Sequence, residues 1–357
     1  MNAQLTTLPI NRVAIVRSLP GLGDFLCVIP ALRALRSTFP QAQFTWIGLS
    51  GVRSLVERFS HYLDNWLEFP GCPGIPEVAL SAKQVVTTLS QWQQQPFDLA
   101  MQLHGSGVAM NAFVALMGAT HTAGFYLPDH YCPDRDRFLP YPVQEPEVWR
   151  HLRLLEFLGV PLQGDQLEFP VDASDRQNLA AVFSSAHPYV CLHPGASVAA
   201  RRWSPANFAH VGNALAAQGW RVVLTGTAAE VSLTQAIADS MQGPVTNLAG
   251  KTSLGAIAAL LKEARLLVCN DTGISHLAAA LRVPSVVVFS QSDPQRWAPL
   301  DGDRHRAIVI ADAPQRFQEA EQRSSRRTFP VVSPAASVSV VLATAMQQLQ
   351  QEVVYAF

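Results

Sequence analysis

The sequence predicts an α/β protein made of two domains, each built around a parallel β-sheet. Three observations support this prediction. The chain has 357 residues, which corresponds to about two domains at the usual 100–200 residues each. Short apolar, β-branched runs alternate with helix-length amphipathic segments, a pattern typical of βαβ units. The alternation extends from Arg12 to about Thr122 and starts again at Tyr189.

The predicted strands are continuous apolar runs, not runs in which apolar and polar residues alternate. This pattern indicates strands that are covered by helices on both faces of the sheet. The strands are expected at residues 12–17, 44–48, 99–103, 189–193, 221–225, 266–269, 285–289 and 307–310. Helical spacing is found between several of them, at residues 30–39, 207–218 and 254–262.

A segment that begins with a proline-rich stretch separates the two halves of the chain. Residues 127–146 are rich in proline, and residues 148–158 have helical spacing. We therefore expect domains over residues 1–170 and 171–336, with a terminal helix over residues 337–355 that completes the first domain. Parallel sheets bind ligands at the carboxyl ends of their strands, so the site is expected in a cleft between two facing sheets.

Composition and charge exclude several classes of protein. Apolar residues make up 48% of the chain and charged residues 15%, as in a compact globular protein. Lys and Arg number 26 and Asp and Glu number 27, so the net charge favours neither nucleic acid nor anionic lipid as a partner. The polar segment 315–327 contains Arg323, Arg326 and Arg327 and is interpreted as a solvated face.

The cysteines and the N-terminus indicate the compartment. Five cysteines are scattered along the chain without a CxxC pair, which favours a reducing compartment over a disulfide framework or a structural zinc site. The N-terminus has no apolar segment typical of a signal peptide. The longest apolar runs, of about seven residues, are too short to cross a membrane. We expect a cytoplasmic protein that can visit the inner face of a membrane.

The first candidate site is Gly21-Leu22-Gly23-Asp24, between the first strand and a helix. Glycines at such a turn let the backbone approach a ligand closely. The segment is not a dinucleotide fingerprint, because GxGxxG requires a glycine where this chain has Leu26. Asp24 has two interpretations. It is either the N-cap of the helix, which the residues alone favour, or a general base at the edge of a cleft.

Two further candidate sites follow strands of the second half. His193-Pro194-Gly195-Ala196-Ser197 precedes Arg201 and Arg202, whose guanidinium groups are suited to phosphate. A plain loop with two surface arginines is the alternative interpretation. Thr225-Gly226 ends the next strand, and Glu230 lies about one turn later. This carboxylate could pair with ribose hydroxyls or favour a helix N-terminus.

The strongest candidate site is the segment 270–276, Asn-Asp-Thr-Gly-Ile-Ser-His, where a buried strand ends and a helix begins. Backbone N–H groups near Thr272 and Gly273 would point at one spot, and the helix dipole favours an anion there. His276 could add a hydrogen-bond donor to a phosphate. In this setting ligand contact is favoured over a purely structural histidine.

The sequence shows no pattern that favours a metal. Asp134-Arg135-Asp136 matches the DxD pattern by which some sugar transferases hold a metal, but that pattern is frequent by chance. The ten histidines form no HExxH or other metal-ligand spacing. We expect neither a metal nor another cofactor.

The motifs of both halves occur along the chain in a recognisable order. They are residues 12–17, Gly23-Asp24, Phe97-Asp98-Leu99, Gly124-Phe125, residues 193–196, Arg202-Trp203, residues 247–254, residues 271–276, Phe289, Asp293-Pro294 and Trp297-Ala298-Pro299. In this combination the sequence resembles glycosyltransferase family 9, the bacterial heptosyltransferases of lipopolysaccharide core synthesis. The resemblance covers most of the chain.

The resemblance implies a GT-B fold, in which two Rossmann-like domains face a cleft. The N-terminal domain would bind the acceptor and the C-terminal domain the nucleotide sugar. It also implies a metal-independent transfer that inverts the anomeric centre, with Asp24 as the base that deprotonates the acceptor hydroxyl.

The resemblance also assigns the donor-binding residues. Thr272, Gly273 and His276 would hold the diphosphate, with Ser197 and Arg201 reaching it from the opposite loop. Glu230 would meet the ribose. The full predicted donor set is Ser197, Arg201, Arg202, Thr225, Gly226, Glu230, Asp271, Thr272, Gly273 and His276, and Gly21 and Gly23 form the glycine loop.

The expected substrates are ADP-heptose and a lipopolysaccharide or other cell-surface saccharide. Two departures from the family pattern concern them. Arg201 stands where the family usually has lysine, which changes the geometry of phosphate contact. Residues 103–107 differ from the expected acceptor-side pattern. The alternatives are a non-catalytic nucleotide-sugar-binding member of the family and a GT-B-like nucleotide-sugar epimerase.

Overall fold

The structure, a computed structural model, describes residues 4–311 and 327–354. The chain divides into two compact units, which follow one another in sequence at Gln166 and Leu167. Each unit contains one parallel sheet with helices in its connections. The boundary predicted near residue 170 lies a few residues further along the chain.

The first unit contains a six-stranded sheet whose paired strands are parallel. The strands are β1 (Arg12–Val16), β2 (Gln43–Gly48), β3 (Asn65–Glu68), β4 (Leu99–Gln102), β5 (His121–Tyr126) and β6 (Phe138–Pro140). Their order in the sheet is β3-β2-β1-β4-β5-β6. The chain runs outward from β1 on one side and from β4 on the other. These two neighbours therefore form the topological switch point, where open α/β sheets bind ligands.

Six α-helices accompany these strands in the described part of the first unit. They are α1 (Leu22–Leu26), α2 (Ile29–Thr38), α3 (Arg53–Arg58), α4 (Ala82–Gln94), α5 (Met110–Leu116) and α6 (Glu147–Phe157). In α2, Pro30 suits the first turn because it lacks an N–H that would have no partner there. Ile29, Leu32 and Leu35 recur at helical spacing and are fully buried. Burying a side chain of this size contributes about 1.5–3 kcal/mol.

The second unit contains a seven-stranded sheet, again with parallel pairs. The strands are β7 (Tyr189–His193), β8 (Arg221–Leu224), β9 (Val245–Asn247), β10 (Leu266–Asn270), β11 (Ser285–Phe289), β12 (His305–Ile310) and β13 (Val331–Val332). Their order is β13-β12-β11-β10-β7-β8-β9. Every residue of β7, β10 and β11 is buried, as expected for strands covered on both faces. The switch point of this sheet lies between β7 and β10.

The described helices of the second unit are α7 (Ala173–Ala180), α8 (Pro205–Ala217), α9 (Val231–Ser240), α10 (Leu254–Glu263), α11 (Gly273–Leu281), α12 (Pro294–Trp297) and α13 (Ser337–Val354). Phe208, Val211 and Leu215 of α8 are buried in one core with strands of this sheet. Glycine at 212 allows close packing on the sheet, because a Cβ there would lie 3.1 Å from the Leu192 side chain.

The terminal helix α13 belongs to the second unit, which corrects the expectation that it completes the first domain. Val341, Ala345 and Leu349 are buried in the core of the second sheet. The chain leaves edge strand β13 only a few residues before the helix begins. Ser337 then accepts a hydrogen bond from Trp203 Nε1 at 3.2 Å. This short connection and the apolar face of the helix keep it on the sheet it has just left.

Arg327 was interpreted as part of a solvated face, and the structure corrects this too. Its guanidinium group donates to the carbonyls of Ala298 and Pro299 at 3.0 and 2.8 Å. It also donates to the carbonyls of Pro294 and Gln295, at 3.3 and 3.0 Å. Carbonyls around a helix C-terminus lack intrahelical partners, so Arg327 stabilises the turn around α12. Arg323 and Arg326 lie outside the described residues.

The predicted fold class is confirmed: the chain is α/β, with two Rossmann-like domains built on parallel sheets. In the part of the chain that the structure describes, no helix combines the length and apolarity needed to cross a bilayer.

Candidate functional site

The candidate donor site lies at the carboxyl edge of the second sheet, around its switch point. The side chain of Asn270, at the end of β10, is fully buried. Its Nδ2 donates to Pro194 O at 2.8 Å, and its Oδ1 accepts the Trp203 N–H at 2.9 Å. This one amide therefore fixes the loop after β7, the turn before α8 and the segment entering α11. Sequence reasoning had included Asn270 in a motif without giving it a role.

Glu230 lies directly beside the loop that follows β7. Its Oε2 accepts hydrogen bonds from the Thr227 N–H and hydroxyl at 2.8 and 2.9 Å. A Cβ added at Gly195 would overlap the Glu230 carboxylate, so the loop approaches the carboxylate as closely as glycine allows. The structure thus shows the capping alternative for Glu230. Its contact with a ribose remains a prediction.

Thr225 is fully buried at the end of β8. Its hydroxyl lies 3.0 Å from His193 Nδ1 and donates to Leu192 O at 3.3 Å. Burial lowers the pKa of His193 to about 4, against the opposing charge of Glu230. The imidazole is therefore neutral at pH 7. The Thr225 hydroxyl is engaged inside the protein, although sequence analysis placed it among the donor-binding groups. Gly226 follows it and leads towards Glu230.

The start of α11 is the part of this site best suited to an anion. Thr272 is the N-cap, and its side chain makes no capping hydrogen bond. The nine-residue helix that begins at Gly273 directs the positive end of its dipole to this point. His276 is buried within the first turns, and its ring packs edge-on against Trp297 with centroids 6.0 Å apart.

Arg201 faces the same helix start from the opposite loop. Its Nη1 lies 3.9 Å from Asp271 Oδ2, with the Arg201 side chain 36% exposed and the Asp271 side chain 4% exposed. Asp271 Oδ2 has no hydrogen-bond partner among the described residues. Arg202 donates from Nε to Ala196 O at 2.9 Å, which shapes the loop that presents the exposed Ser197. The structure therefore brings the segments that sequence analysis selected together at one edge of the sheet.

Asp24 lies beyond the switch point of the first sheet. It is in the first turn of α1, whose N-cap is Gly21, so the N-cap interpretation is wrong. A Cβ at position 21 would overlap the Asp24 carboxylate, which explains why this residue is a glycine. Gly23 is buried within the helix. Asp24 Oδ1 lies 3.1 Å from Arg17 Nη2, and the Asp24 side chain is 25% exposed.

A buried charge network supports Asp24, and sequence reasoning missed it. Arg17 is 1% exposed, and its Nη2 also lies 3.1 Å from Glu147 Oε1. Glu147 Oε2 in turn pairs with Arg150 Nη1 at 3.0 Å. The two arginines and two carboxylates balance in charge. The signal in the sequence was an arginine ending a continuous apolar strand, and a Glu–Arg pair at i, i+3 on a helix.

A second pair lies at the same switch point. Ser18 follows β1 and His104 follows β4, and Ser18 Oγ is 3.1 Å from His104 Nδ1. Burial, and secondarily the charge of Arg17, lower the pKa of His104 to about 4. The residues 103–107 that depart from the family pattern thus include a side chain at the ligand-binding edge of the first sheet.

In the segment that matches the DxD pattern, the Asp134 carboxylate makes contacts with neighbouring residues of the same loop. Asp134 Oδ1 accepts the Asp136 N–H at 2.9 Å, and Asp134 Oδ2 lies 2.8 Å from Arg137. Across residues 4–311 and 327–354, no group of three or more His, Cys, Asp or Glu side chains is arranged to hold a metal. Metal independence remains a prediction.

Gly195→Ala is expected to destabilise the second unit by about 1–3 kcal/mol, the usual cost of overpacking. The new methyl group would displace the Glu230 carboxylate and break its bonds to Thr227. Thermal unfolding measures this cost. Gly302→Ala is the matched control, because a Cβ there meets nothing within 4 Å. Equal stability of the two variants would contradict the packing argument.

The sequence is similar to those of known heptosyltransferases. The model of the family "Glycosyltransferase family 9 (heptosyltransferase)" matches residues 87–326. Lipopolysaccharide heptosyltransferase 2 of Salmonella typhimurium is 32% identical over 166 residues, which are 44% of this chain and 46% of that protein. The match therefore spans about half the length of that relative. Lipopolysaccharide heptosyltransferase 1 of Pseudomonas aeruginosa is 26% identical over 300 residues, 79% of either chain.

Solved structures show the same fold. The glycosyl transferase family 9 structure from Veillonella parvula superposes with a TM-score of 0.77 at 19% identity, over 98% of this chain and 100% of that one. Escherichia coli ADP-heptose lps heptosyltransferase II superposes with a TM-score of 0.68 at 22% identity, over 96% and 99%. The family model matches more than half of this chain, and the chain therefore belongs to glycosyltransferase family 9.

Proposed function

We propose that this protein is an inverting, metal-independent glycosyltransferase that moves heptose from ADP-heptose to a lipopolysaccharide saccharide. The observation that carries the proposal is the arrangement at the start of α11. There Arg201 lies 3.9 Å from Asp271, next to the helix N-terminus, whose dipole favours a diphosphate. The relatives include lipopolysaccharide heptosyltransferases and an ADP-heptose enzyme, which supports the choice of substrates.

In the proposed donor complex, the diphosphate lies at the N-terminus of α11. Backbone N–H groups at Thr272 and Gly273, together with His276, donate to its oxygens. Arg201 and Ser197 approach from the loop after β7. Glu230 lies beside Gly195 in the same group of loops, where it would accept hydrogen bonds from the ribose.

In the proposed reaction, Asp24 takes the proton of the acceptor hydroxyl. The acceptor oxygen then forms a bond to the anomeric carbon from the face opposite the leaving group, so the configuration inverts. The bond between that carbon and the diphosphate oxygen breaks, and its electron pair leaves with ADP. Arg201 and the dipole of α11 offset the charge that develops on the leaving diphosphate. In this scheme these groups take the place that a metal ion has in other transferases.

The test is a transfer assay with ADP-heptose and a heptose-free lipopolysaccharide core saccharide, in the presence and absence of EDTA. Product with inverted anomeric configuration, formed equally in EDTA, supports the proposal. Donor binding without transfer would instead indicate a nucleotide-sugar-binding protein. Conversion of the donor sugar without an acceptor would indicate an epimerase. Co-sedimentation with lipopolysaccharide-containing vesicles tests the proposed peripheral location at the inner face of the membrane.

His276→Ala is expected to weaken ADP binding. Losing a hydrogen bond to a charged group costs about 1.5–3 kcal/mol, or about 10- to 100-fold in Kd. Isothermal titration calorimetry measures the affinity, and the melting temperature checks that the buried site remains folded. His210→Ala is the control, because His210 is exposed on α8 and its ring contacts Ala206 O. Unchanged affinity for ADP would remove His276 from the site.

A further inference from the structure

The switch point of the first sheet holds the polar pair Ser18 and His104, which has no role in the reaction proposed above. β1 and β4 are neighbours, and the chain leaves them in opposite directions. Ligands of such sheets bind outside the carboxyl ends of the strands at this position. Ser18 lies two residues after the last residue of β1, and His104 lies two residues after the last residue of β4. Both residues are therefore at this edge of the sheet.

Hydrogen bonding determines the tautomer of His104. The Ser18 backbone N–H can only donate, and it points to His104 Nδ1 at 3.4 Å. The Ser18 hydroxyl lies 3.1 Å from the same nitrogen. Nδ1 must therefore carry the lone pair, and the proton of the neutral ring is on Nε2.

The ring is a neutral donor at physiological pH. Burial and the nearby Arg17 lower the pKa of His104 to about 4, well below pH 7. Nε2 has no hydrogen-bond partner among the residues that the structure describes. A fixed N–H donor is thus left without an acceptor at the ligand-binding edge of the sheet.

The turn that carries His104 is tied to Asp24. Arg17 Nη1 donates to the carbonyl of Leu103, and Arg17 Nη2 donates to Asp24. One buried guanidinium group therefore holds both the histidine turn and the carboxylate. Gly105, next in the chain, borders open space, because a Cβ there would meet nothing within 4 Å. The turn of His104 and the Asp24 carboxylate are therefore both attached to Arg17 at this edge of the sheet.

We propose that His104 binds the acceptor saccharide, by donating its Nε2–H to an oxygen adjacent to the hydroxyl that Asp24 deprotonates. This inference rests on the proposed function. A neutral imidazole adds no charge attraction for a phosphate, so we assign its partner to a hydroxyl or ring oxygen of the sugar. Ser18 acts as a positioning residue that keeps the donor on Nε2.

The test measures acceptor binding directly, with the deacylated heptose-free core saccharide as the probe in calorimetry. His104→Phe should weaken its binding by about fivefold or more, the effect of losing one neutral hydrogen bond, and leave ADP affinity unchanged. His104→Gln, which keeps an N–H near the Nε2 position, should recover part of the loss. His130→Phe is the control, because His130 is exposed in the same unit. Equal acceptor affinity of wild type and His104→Phe would overturn the inference.

Nuclear magnetic resonance gives a readout that a merely structural role would not move. The ¹⁵N signals of His104 should show the Nε2–H tautomer at pH 7. Ser18→Ala keeps the backbone N–H that donates to Nδ1 and should therefore keep this tautomer, while loss of the hydroxyl contact should loosen the ring and weaken acceptor binding. A wild-type ring protonated on Nδ1 would overturn the proposal. Failure of sugar transfer by wild type, with the binding difference intact, would reject the proposed function and keep the saccharide site. Transfer by wild type with no binding difference would reject the site alone.

Discussion

Asp24→Asn should lower the rate of sugar transfer by about 10²- to 10⁴-fold, the usual contribution of a general base. Asparagine keeps the size of the side chain and an oxygen for Arg17 Nη2, which lies 3.1 Å from Asp24 Oδ1. It cannot accept the proton of the acceptor hydroxyl. The loss should therefore appear in kcat, while the affinity for ADP stays at the wild-type value because the proposed donor-binding residues are all in the second unit.

The measurement is kcat at saturating donor and acceptor, paired with calorimetry for ADP. Asp136→Asn is the matched control, since Asp136 is an exposed aspartate of the same unit whose carboxylate has no part in the proposed site. It should transfer sugar at the wild-type rate. A wild-type rate in Asp24→Asn would exclude Asp24 as the base, whatever the affinity for ADP.

Arg17→Met should destabilise the protein by about 3–5 kcal/mol, the typical cost of removing one partner from a buried ion pair. Glu147 is 3% exposed and would keep Arg150 but lose its second arginine. The carbonyl of Leu103 would lose its donor as well. Asp24 is partly exposed and can be hydrated, so most of the cost arises at Glu147.

Urea denaturation followed by tryptophan fluorescence measures this loss. Arg53→Met removes a comparable side chain from an exposed i, i+4 pair with Glu57, whose groups are 64% and 63% exposed. That control should lose only about 0.3–0.5 kcal/mol. Similar losses in the two variants would mean that the buried network contributes no more than a surface pair.

The strands predicted from sequence are those buried on both faces. β7 and β11 were predicted with their observed bounds, and every residue of each is buried. Five strands were missed. β3, β9 and β13 contain no buried residue, and β5 and β6 include a glycine or a proline that interrupts the apolar pattern. Short, half-exposed strands are stabilised by pairing with a neighbour in the sheet, and a local pattern of hydrophobicity does not contain that information.

The candidate site shows the same division. The segments around Gly195, Glu230 and Asp271 were found in the sequence because each lies where a strand ends and glycine or a helix start follows. The side chains that connect those segments were not. Asn270 joins Pro194 and Trp203, which are 76 and 67 positions away, and no local pattern indicates those partners.

The α/β class, the two parallel sheets and the candidate ligand-binding segments were predictable from the sequence, since periodicity and turn residues act over a few neighbouring positions. Three other properties are visible only in the folded protein: α13 covers the second sheet, Asp24 is held by Arg17, and His104 is neutral with its proton on Nε2. These properties depend on burial and on charges close in space but distant in sequence. Arg17 and Glu147 are 130 positions apart, and folding alone brings their charges within 3.1 Å of each other.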